Sequence, residues 1–288
     1  MHYLIEHETI LEYPGAIREH YIELRLTPRC DQYQRVLSCA IETEPAAELA
    51  SYSDFFGNRV DYFCVIPPHT RLLTRLRTEV ETCRENPLDF IPVFAWDQQR
   101  WLHSAIGREP RLNDFVLHSS PMTPHAMKLA EALSCSQPRF DPEQTVLHNL
   151  MELMSWIPTV LEYRVGATVV HSELVAALRQ GAGVCQDFAH LFITVARSWK
   201  IPARYVMGYL DPGIGTGGVE LATHAWAEAL VPGEGWLGFD ATNTMLANDR
   251  YVAVSVGRDS CDAAPQRGSF KGASGGEQPT VKVTVQQQ

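Results

Sequence analysis

Gly181-Ala-Gly183-Val-Cys185-Gln-Asp187-Phe-Ala-His190-Leu-Phe-Ile-Thr-Val-Ala-Arg-Ser-Trp199 is the stretch on which the reading of this chain turns. Phe188, Ala189, Phe192, Val195, Ala196 and Trp199 recur at the spacing of one buried helix face. Cys185 therefore falls in the first turn of a helix that enters the core. Free N–H groups and the helix dipole favour an anion there, and the thiolate is the nucleophilic form of cysteine. Glycines at 181 and 183 let backbone approach a ligand closely. An isolated cysteine usually packs as a small hydrophobe. The glycine flank, the helix start and the residues downstream make this one a candidate nucleophile.

Downstream, 223–231 and 236–239 read as two strands joined by the turn signal Pro232-Gly233-Glu234-Gly235. His224, Trp226 and Glu228 share one face of the first strand; Trp236, Gly238 and Asp240 share one face of the second. The faces coincide only if facing residues have numbers that add to an even total. Leu230 opposite Trp236 satisfies this. It leaves a connection over 231–235 and buries Ala225, Ala227, Ala229, Leu237 and Phe239 on the other face. Asp240 can then orient His224, and His224 can reach a thiol on a helix in front of it. Such a Cys-His-Asp set suits nucleophilic attack on a carbonyl. The backbone N–H of Cys185 is the natural first oxyanion donor, and Gln180 is a candidate second. Asp187, Trp226, Glu228, Arg258 and Asp259 are candidates for supporting the set or binding substrate. An odd register would make Glu228 or Asp259 the first alternative orienter.

These motifs, together with Ile201-Pro-Ala-Arg204-Tyr-Val, Gly208-Tyr209 and Thr242-Asn243, resemble the bacterial transglutaminase-like family, some members of which are labelled cysteine proteases. The resemblance implies Cys185 as nucleophile, His224 as base and Asp240 as third member. It implies a papain-like α+β core, with the cysteine helix packed on an antiparallel sheet. Ala241 stands where the family usually carries proline. Leu26, Pro28-Arg29, Asp54-Phe-Phe-Gly57-Asn58 and Pro67-Pro68-His69 resemble the N-terminal domain that accompanies the family. Gly257-Arg258-Asp259, Pro265 and Arg267-Gly268 resemble it further on, with Ser260 in place of the usual aromatic residue.

Outward from that core, 1–82 read as alternating strands: Ile22/Leu24/Leu26, Leu37/Cys39/Ile41, Val60/Tyr62/Cys64/Ile66 and the stretch 72–80. An antiparallel β-sandwich is expected, packing on the catalytic part. Prolines break 83–140 into a mixed connecting region with one helix over 124–133. Residues 141–258 form the transglutaminase-like core. In it Asp141-Pro142 opens a helix that Pro158 ends, and Ser172 caps a helix over 173–179. The tail, 259–288, holds a Gly/Ser-rich linker at 271–279 and a last strand, Val281/Val283/Val285, whose candidate partner is the N-terminal sheet. Gly213-Ile-Gly215-Thr-Gly217-Gly218 fits GxGxxG. A strand-like stretch follows it rather than a helix, so it reads as a mobile loop beside His224.

Composition narrows the function. A net charge of −10, from 24 Lys+Arg against 34 Asp+Glu, argues against nucleic acid or an anionic membrane as partner. No apolar run is long enough to span a bilayer, and the first residues lack the features of a signal peptide. A cytoplasmic location is the default. The seven cysteines are scattered and the eleven histidines lack paired spacing, so neither disulfides, metal nor cofactor is expected. The expectation is thiol-dependent acyl transfer at an amide of a peptide or protein substrate. Hydrolysis of a peptide or isopeptide bond is favoured over transamidation, because water is always present and no second-substrate site is visible. The alternative is a non-catalytic scaffold that keeps the fold.

Overall fold

The computed structural model describes residues 1–133, 136–211, 213, 223–272 and 279–288. The loop read at 213–218 lies outside these residues except for Gly213, and the linker read at 271–279 lies outside them except at its ends. The N-terminal strands are β1 (His2–Leu24), β2 (Gln34–Glu44), β3 (Ala50–Ser53), β4 (Arg59–Val65) and β5 (His69–Thr82). Helices α1 (Ala95–Arg108), α2 (Asp114–Leu117) and α3 (Val146–Trp156) follow. Then come β6 (Glu162–Tyr163), α4 (Leu174–Gln180), β7 (Ala182–Gly183) and α5 (Cys185–Ser198). The chain closes with β8 (Ala203–Leu210), β9 (His224–Val231), β10 (Gly235–Asp240), β11 (Met245–Leu246), β12 (Tyr251–Gly257), β13 (Gln266–Gly272) and β14 (Thr280–Gln287). The fold is α+β, built on two antiparallel sheets. No helix among the described residues is long and apolar enough to cross a membrane.

β1 belongs to both halves of the N-terminal sheet. Its first half lies between β5 and β14, and its second half between β4 and β13. The register with β5 breaks between Glu12 and Ile17, around Pro14-Gly15, and the sheet folds over itself there into a sandwich. Tyr3, Ile5, His7 and Thr9 point inward from the first half; His20, Ile22 and Leu24 point inward from the second. The strand thus begins at His2, well before the Ile22/Leu24/Leu26 alternation that marked it in the sequence. Inward His7 and Thr9 are polar, which concealed the pattern.

Other N-terminal expectations are corrected by burial. In β4 Asp61, Phe63 and Val65 are buried on one face; of the expected face Val60 is buried too, while Cys64 is exposed and Ile66 just beyond the strand is 68% exposed. Asp61 is inside because Thr27 Oγ1 donates to it at 2.8 Å and Arg59 Nε at 2.9 Å. A carboxylate on the inner face inverted the apparent parity. In β2, an edge strand, a bulge between Val36 and Ser38 turns Leu37 outward, while Cys39 and Ile41 stand opposite buried Thr78 and Leu76; at the edge Cys39 stays exposed.

The connecting region holds α1, which the sequence did not reveal. It buries Gln98, Leu102 and Ala105. The helix expected over 124–133 is a 3₁₀ turn, Ala126–Glu131, that buries Leu129. α3 starts at Val146 rather than at Asp141-Pro142. Thr145 is its N-cap, accepting from the His148 N–H at 3.1 Å. Asp141 forms a local turn instead, accepting from the Glu143 N–H at 2.9 Å. Ser172 does not cap α4 either; its Oγ accepts from the Val169 N–H at 2.9 Å.

α5 is the central element, and Gln186 to Arg197 are all buried. The second sheet has the order β11-β10-β9-β8-β12. Trp236 pairs with Leu230, the even register, and pairing continues to Gly235 opposite Val231. The connection is therefore 232–234, shorter than expected. α5 packs on the face carrying Ala225, Ala227, Ala229, Leu237 and Phe239, all buried, and Phe192 stacks on Phe239 at 5.0 Å. By strand alternation this face is opposite the one that carries Trp226, and the first residue of the helix, Cys185, interacts with His224.

Candidate active site

The approach to Cys185 is set by glycines and one carboxylate. Gly181 ends α4 in the left-handed region, φ 69°. Ala182 and Gly183 then pair in parallel with Glu162 and Tyr163. A Cβ on Gly183 would lie 2.8 Å from Asp187 Cβ and Oδ2, so only glycine fits. Asp187 Oδ2 accepts from the Val184 N–H at 2.8 Å and from Thr168 Oγ1. Burial raises the Asp187 pKa, and these hydrogen bonds oppose the rise. Asp187 thus secures the helix start and leaves Cys185, half-buried, as its first residue.

His224 begins β9. Its Nε2 lies 2.7 Å from Asp240 Oδ2, and Cys185 interacts with the same ring. Burial pulls the imidazole pKa down, but the hydrogen bonds and charges of Asp240 and Cys185 outweigh it. The pKa is raised to about 10. Asp240 is fully buried. Its Oδ2 also accepts from Asn243 Nδ2 at 2.7 Å and Tyr251 OH at 2.8 Å; its Oδ1 accepts from the N–H groups of Thr242 and Asn243 at 2.9 and 3.3 Å. Burial raises its pKa, yet the His224 bond and these donors leave it below the ordinary carboxylate value.

The structure brings Cys185, His224 and Asp240 together and adds Asn243 and Tyr251, which sequence reasoning did not assign. Asn243 had a signal, an Asp-x-Thr-Asn pattern suited to a side-chain-capped turn. Tyr251 had none, because the β12–β8 pairing is what carries it to the site. Trp226 lies beside His224, near-parallel at 6.2 Å, with Tyr251 edge-on at 5.2 Å. Glu228 is engaged by Arg204 at 2.6 Å, and that guanidinium covers the Trp236 ring at 4.1 Å. Gln180 is the exposed last residue of α4. Arg258 pairs with Asp262 at 2.7 Å, and its carbonyl accepts from buried Arg197 at 2.6 Å. Asp259 holds His118 at 3.1 Å and Ser120 at 2.6 Å. No described hydrogen bond joins Arg258 or Asp259 to His224. Both close around Arg197, in the last turn of α5. Among the described residues no group of three or more His, Cys, Asp or Glu side chains is arranged to hold a metal ion.

Comparison with known proteins gives this geometry a family. Residues 136–241 match the transglutaminase-like superfamily, and residues 3–81 match the bacterial transglutaminase-like N-terminal region. An uncharacterised protein of Mycobacterium leprae is 34% identical over 271 residues, covering 93% of this chain and 92% of that protein. An uncharacterised protein of Mycobacterium tuberculosis is 32% identical over 282 residues, covering 92% of this chain and 86% of that protein. The structure of a candidate cysteine protease from Cytophaga hutchinsonii superposes with a TM-score of 0.69 at 21% identity, covering 100% of this chain and 91% of that one. That likeness shows the fold. The near-full-length relatives and the two matched regions lead to one assignment: this chain belongs to the transglutaminase-like superfamily and carries the bacterial N-terminal region ahead of its core.

Proposed function

We propose that the protein is a thiol-dependent enzyme that transfers an acyl group from an amide of a peptide or protein. Cys185 is the nucleophile, His224 the acid and base, and Asp240 the orienter. The observation that carries the reading is His224 held at 2.7 Å by a buried carboxylate, with Cys185, the first residue of α5, interacting with the same ring. An imidazole whose pKa is raised to about 10 keeps its proton through neutral pH. It serves as counter-ion to a thiolate and as the acid for a leaving amine.

The thiolate attacks the amide carbon, forming a C–S bond and an oxyanion. The N–H of Cys185, in the first turn of α5, is the first donor to that oxyanion, and Gln180, the exposed last residue of α4, is the candidate second donor. His224 gives its proton to the amine as the C–N bond breaks, leaving a thioester. Water then attacks with His224 as base, and the thiolate is restored. Hydrolysis is favoured over transfer to an amine because water needs no second site. Four exposed free thiols, Cys30, Cys39, Cys64 and Cys83, support a reducing, cytoplasmic setting.

Iodoacetamide at about pH 6 tests the thiol, because an ordinary thiol reacts slowly there. Cys185 is expected to be labelled well ahead of Cys30, Cys39, Cys64 and Cys83, and the preference is expected to vanish in His224→Ala. Uniform slow labelling would support the scaffold instead. Mass spectrometry of a peptide mixture, treated with wild type or Cys185→Ala, then separates the reactions. Cleaved peptides mark hydrolysis, and incorporation of an added primary amine marks transamidation.

A further inference from the structure

The two halves of the folded N-terminal sheet flank a half-open cavity of about 300 Å³. His7, Thr9, His20, Ile22, Gln266 and Phe270 are among the residues that line it. Its lining adjoins the candidate site at two points of the chain. Thr223, in the lining, immediately precedes His224. Val170, also in the lining, follows Val169, whose carbonyl accepts from the Gln186 side chain at 2.8 Å. Apolar side chains near the nucleophile are exposed among the described residues: Tyr163, Val165, Val169 and Val170 are 50%, 82%, 56% and 56% exposed, interspersed with the exposed pair Glu162–Arg164, and Tyr163 pairs with Gly183, two residues before Cys185. Uncovered apolar surface beside a nucleophile marks a place where substrate lies.

The interior chemistry selects what enters. Both nitrogens of His7 are engaged, by Tyr209 OH at 2.9 Å and Thr9 Oγ1 at 3.0 Å. Both nitrogens of His20 are engaged, by His69 and Tyr13 OH, each at 3.3 Å. Burial pushes each imidazole down to about 4, helped at His20 by His69, so both are neutral. Arg267, exposed, is the one lining residue among the described residues with a formal charge at neutral pH. A charged group inside would therefore be left uncompensated. Among the described residues that line the cavity, one buried polar side-chain atom has no partner: Gln266 Oε1. Its unmet hydrogen bond favours an occupant that brings a donor.

We infer that this cavity is the specificity pocket for the acyl-donor peptide, taking an uncharged aromatic side chain that donates one hydrogen bond to the Gln266 amide. Tyrosine and tryptophan have that chemistry. The inference rests on Cys185 being the nucleophile, and on a peptide lying over these exposed side chains from Cys185 to the cavity.

The probes are acetyl-tripeptide chloromethyl ketones, varied at each position among Tyr, Trp, Phe, Glu and Lys. The Cys185 thiolate displaces chloride and forms a C–S bond, and the labelling rate is read by mass spectrometry. At one position Tyr and Trp are expected to exceed Glu and Lys by about tenfold or more, the worth of burying an aromatic side chain. Phe, which lacks a donor, is expected to fall between. In Gln266→Leu the Tyr rate drops to the Phe rate. Val281 faces Thr9 across β1 and β14, so Val281→Trp fills the cavity and brings the Tyr:Glu ratio to about one. Because the readout is a ratio within one protein, a general loss of reactivity does not mimic it. No side-chain preference in wild type, or a preference that survives both substitutions, overturns the pocket while leaving the nucleophile in place. Failure of iodoacetamide to single out Cys185 overturns the nucleophile first, and the pocket with it.

Discussion

Asp240 Oδ2 collects three donors, from His224, Asn243 and Tyr251, and the buried carboxylate stays ionised because of them. Asparagine at 240 keeps the shape and removes the charge that holds the His224 proton. Turnover in Asp240→Asn is expected to fall on the order of 100-fold or more, yet by less than in Cys185→Ala. The alkaline limb of its pH–rate profile should also move to lower pH; an unmoved limb would deny Asp240 its role. His224 binds its proton more tightly in the folded chain, with a pKa raised from 6.5 to about 10. Its contribution to stability is therefore full below about 6.5 and is lost as pH rises toward about 10. Denaturation of wild type and His224→Gln across that window should show the stability difference shrinking as pH rises. A difference that widens would contradict the assigned direction.

The entry into α5 is where an element positions a reactive atom. Gly183 and Gly181 are both glycines on this approach, but for different reasons. At Gly183 a methyl group would press on Asp187, which holds the Val184 N–H, and the helix start would shift. Gly183→Ala is expected to cost about 1–3 kcal/mol of stability and to slow Cys185 alkylation about tenfold or more through misplacement. Gly181 has open space around its missing Cβ but a φ of 69°. Gly181→Ala should cost about 1–2 kcal/mol in backbone strain while leaving the alkylation rate near wild type. Urea denaturation and iodoacetamide labelling of the two variants make the comparison. Equal loss of labelling in both would show that the helix start does not depend on the Gly183–Asp187 contact.

At the level of the whole molecule, the N-terminal region covers one edge of the second sheet. β12 is that edge, and two side chains pair with it beside the Arg29 N–H, which donates to the Ala253 carbonyl at 3.0 Å. Asn58, fully buried, donates to the Val256 carbonyl at 2.7 Å and accepts from the Val256 N–H at 2.8 Å. Gln34 does the same for Ala253, at 2.7 and 2.8 Å. β12 also carries Tyr251, the donor to Asp240, so this clamp connects the N-terminal region to the candidate site. Asn58→Leu strands two buried backbone groups and should cost about 1–3 kcal/mol for each. Urea denaturation reads the loss, and the Cys185-dependent rate should fall with it as Tyr251 loses its support. Stability unchanged within error would mean the two sheets merely abut.

Short-range signals in the chain determined the cysteine helix, the even register of β9 and β10, and the three residues at their meeting point. Helical period, strand parity and turn residues act over a few positions, and each was visible locally in Phe188 to Trp199 and in 223–240. The same signals failed where burial follows partners rather than residue type. Asp61 turned inward because Thr27 and Arg59 receive it; His7 turned inward because Tyr209 lies opposite. Thr145 rather than Asp141 capped α3, since both residues suit a cap and only the packing of Val146 and Leu150 decides between them. Only the tertiary structure delivered Tyr251 to Asp240, Asn58 to β12 and Gln266 to the cavity beside His224. Hydrogen bonds between such distant positions leave no local trace in the sequence, because their geometry exists only once the sheets have closed on each other.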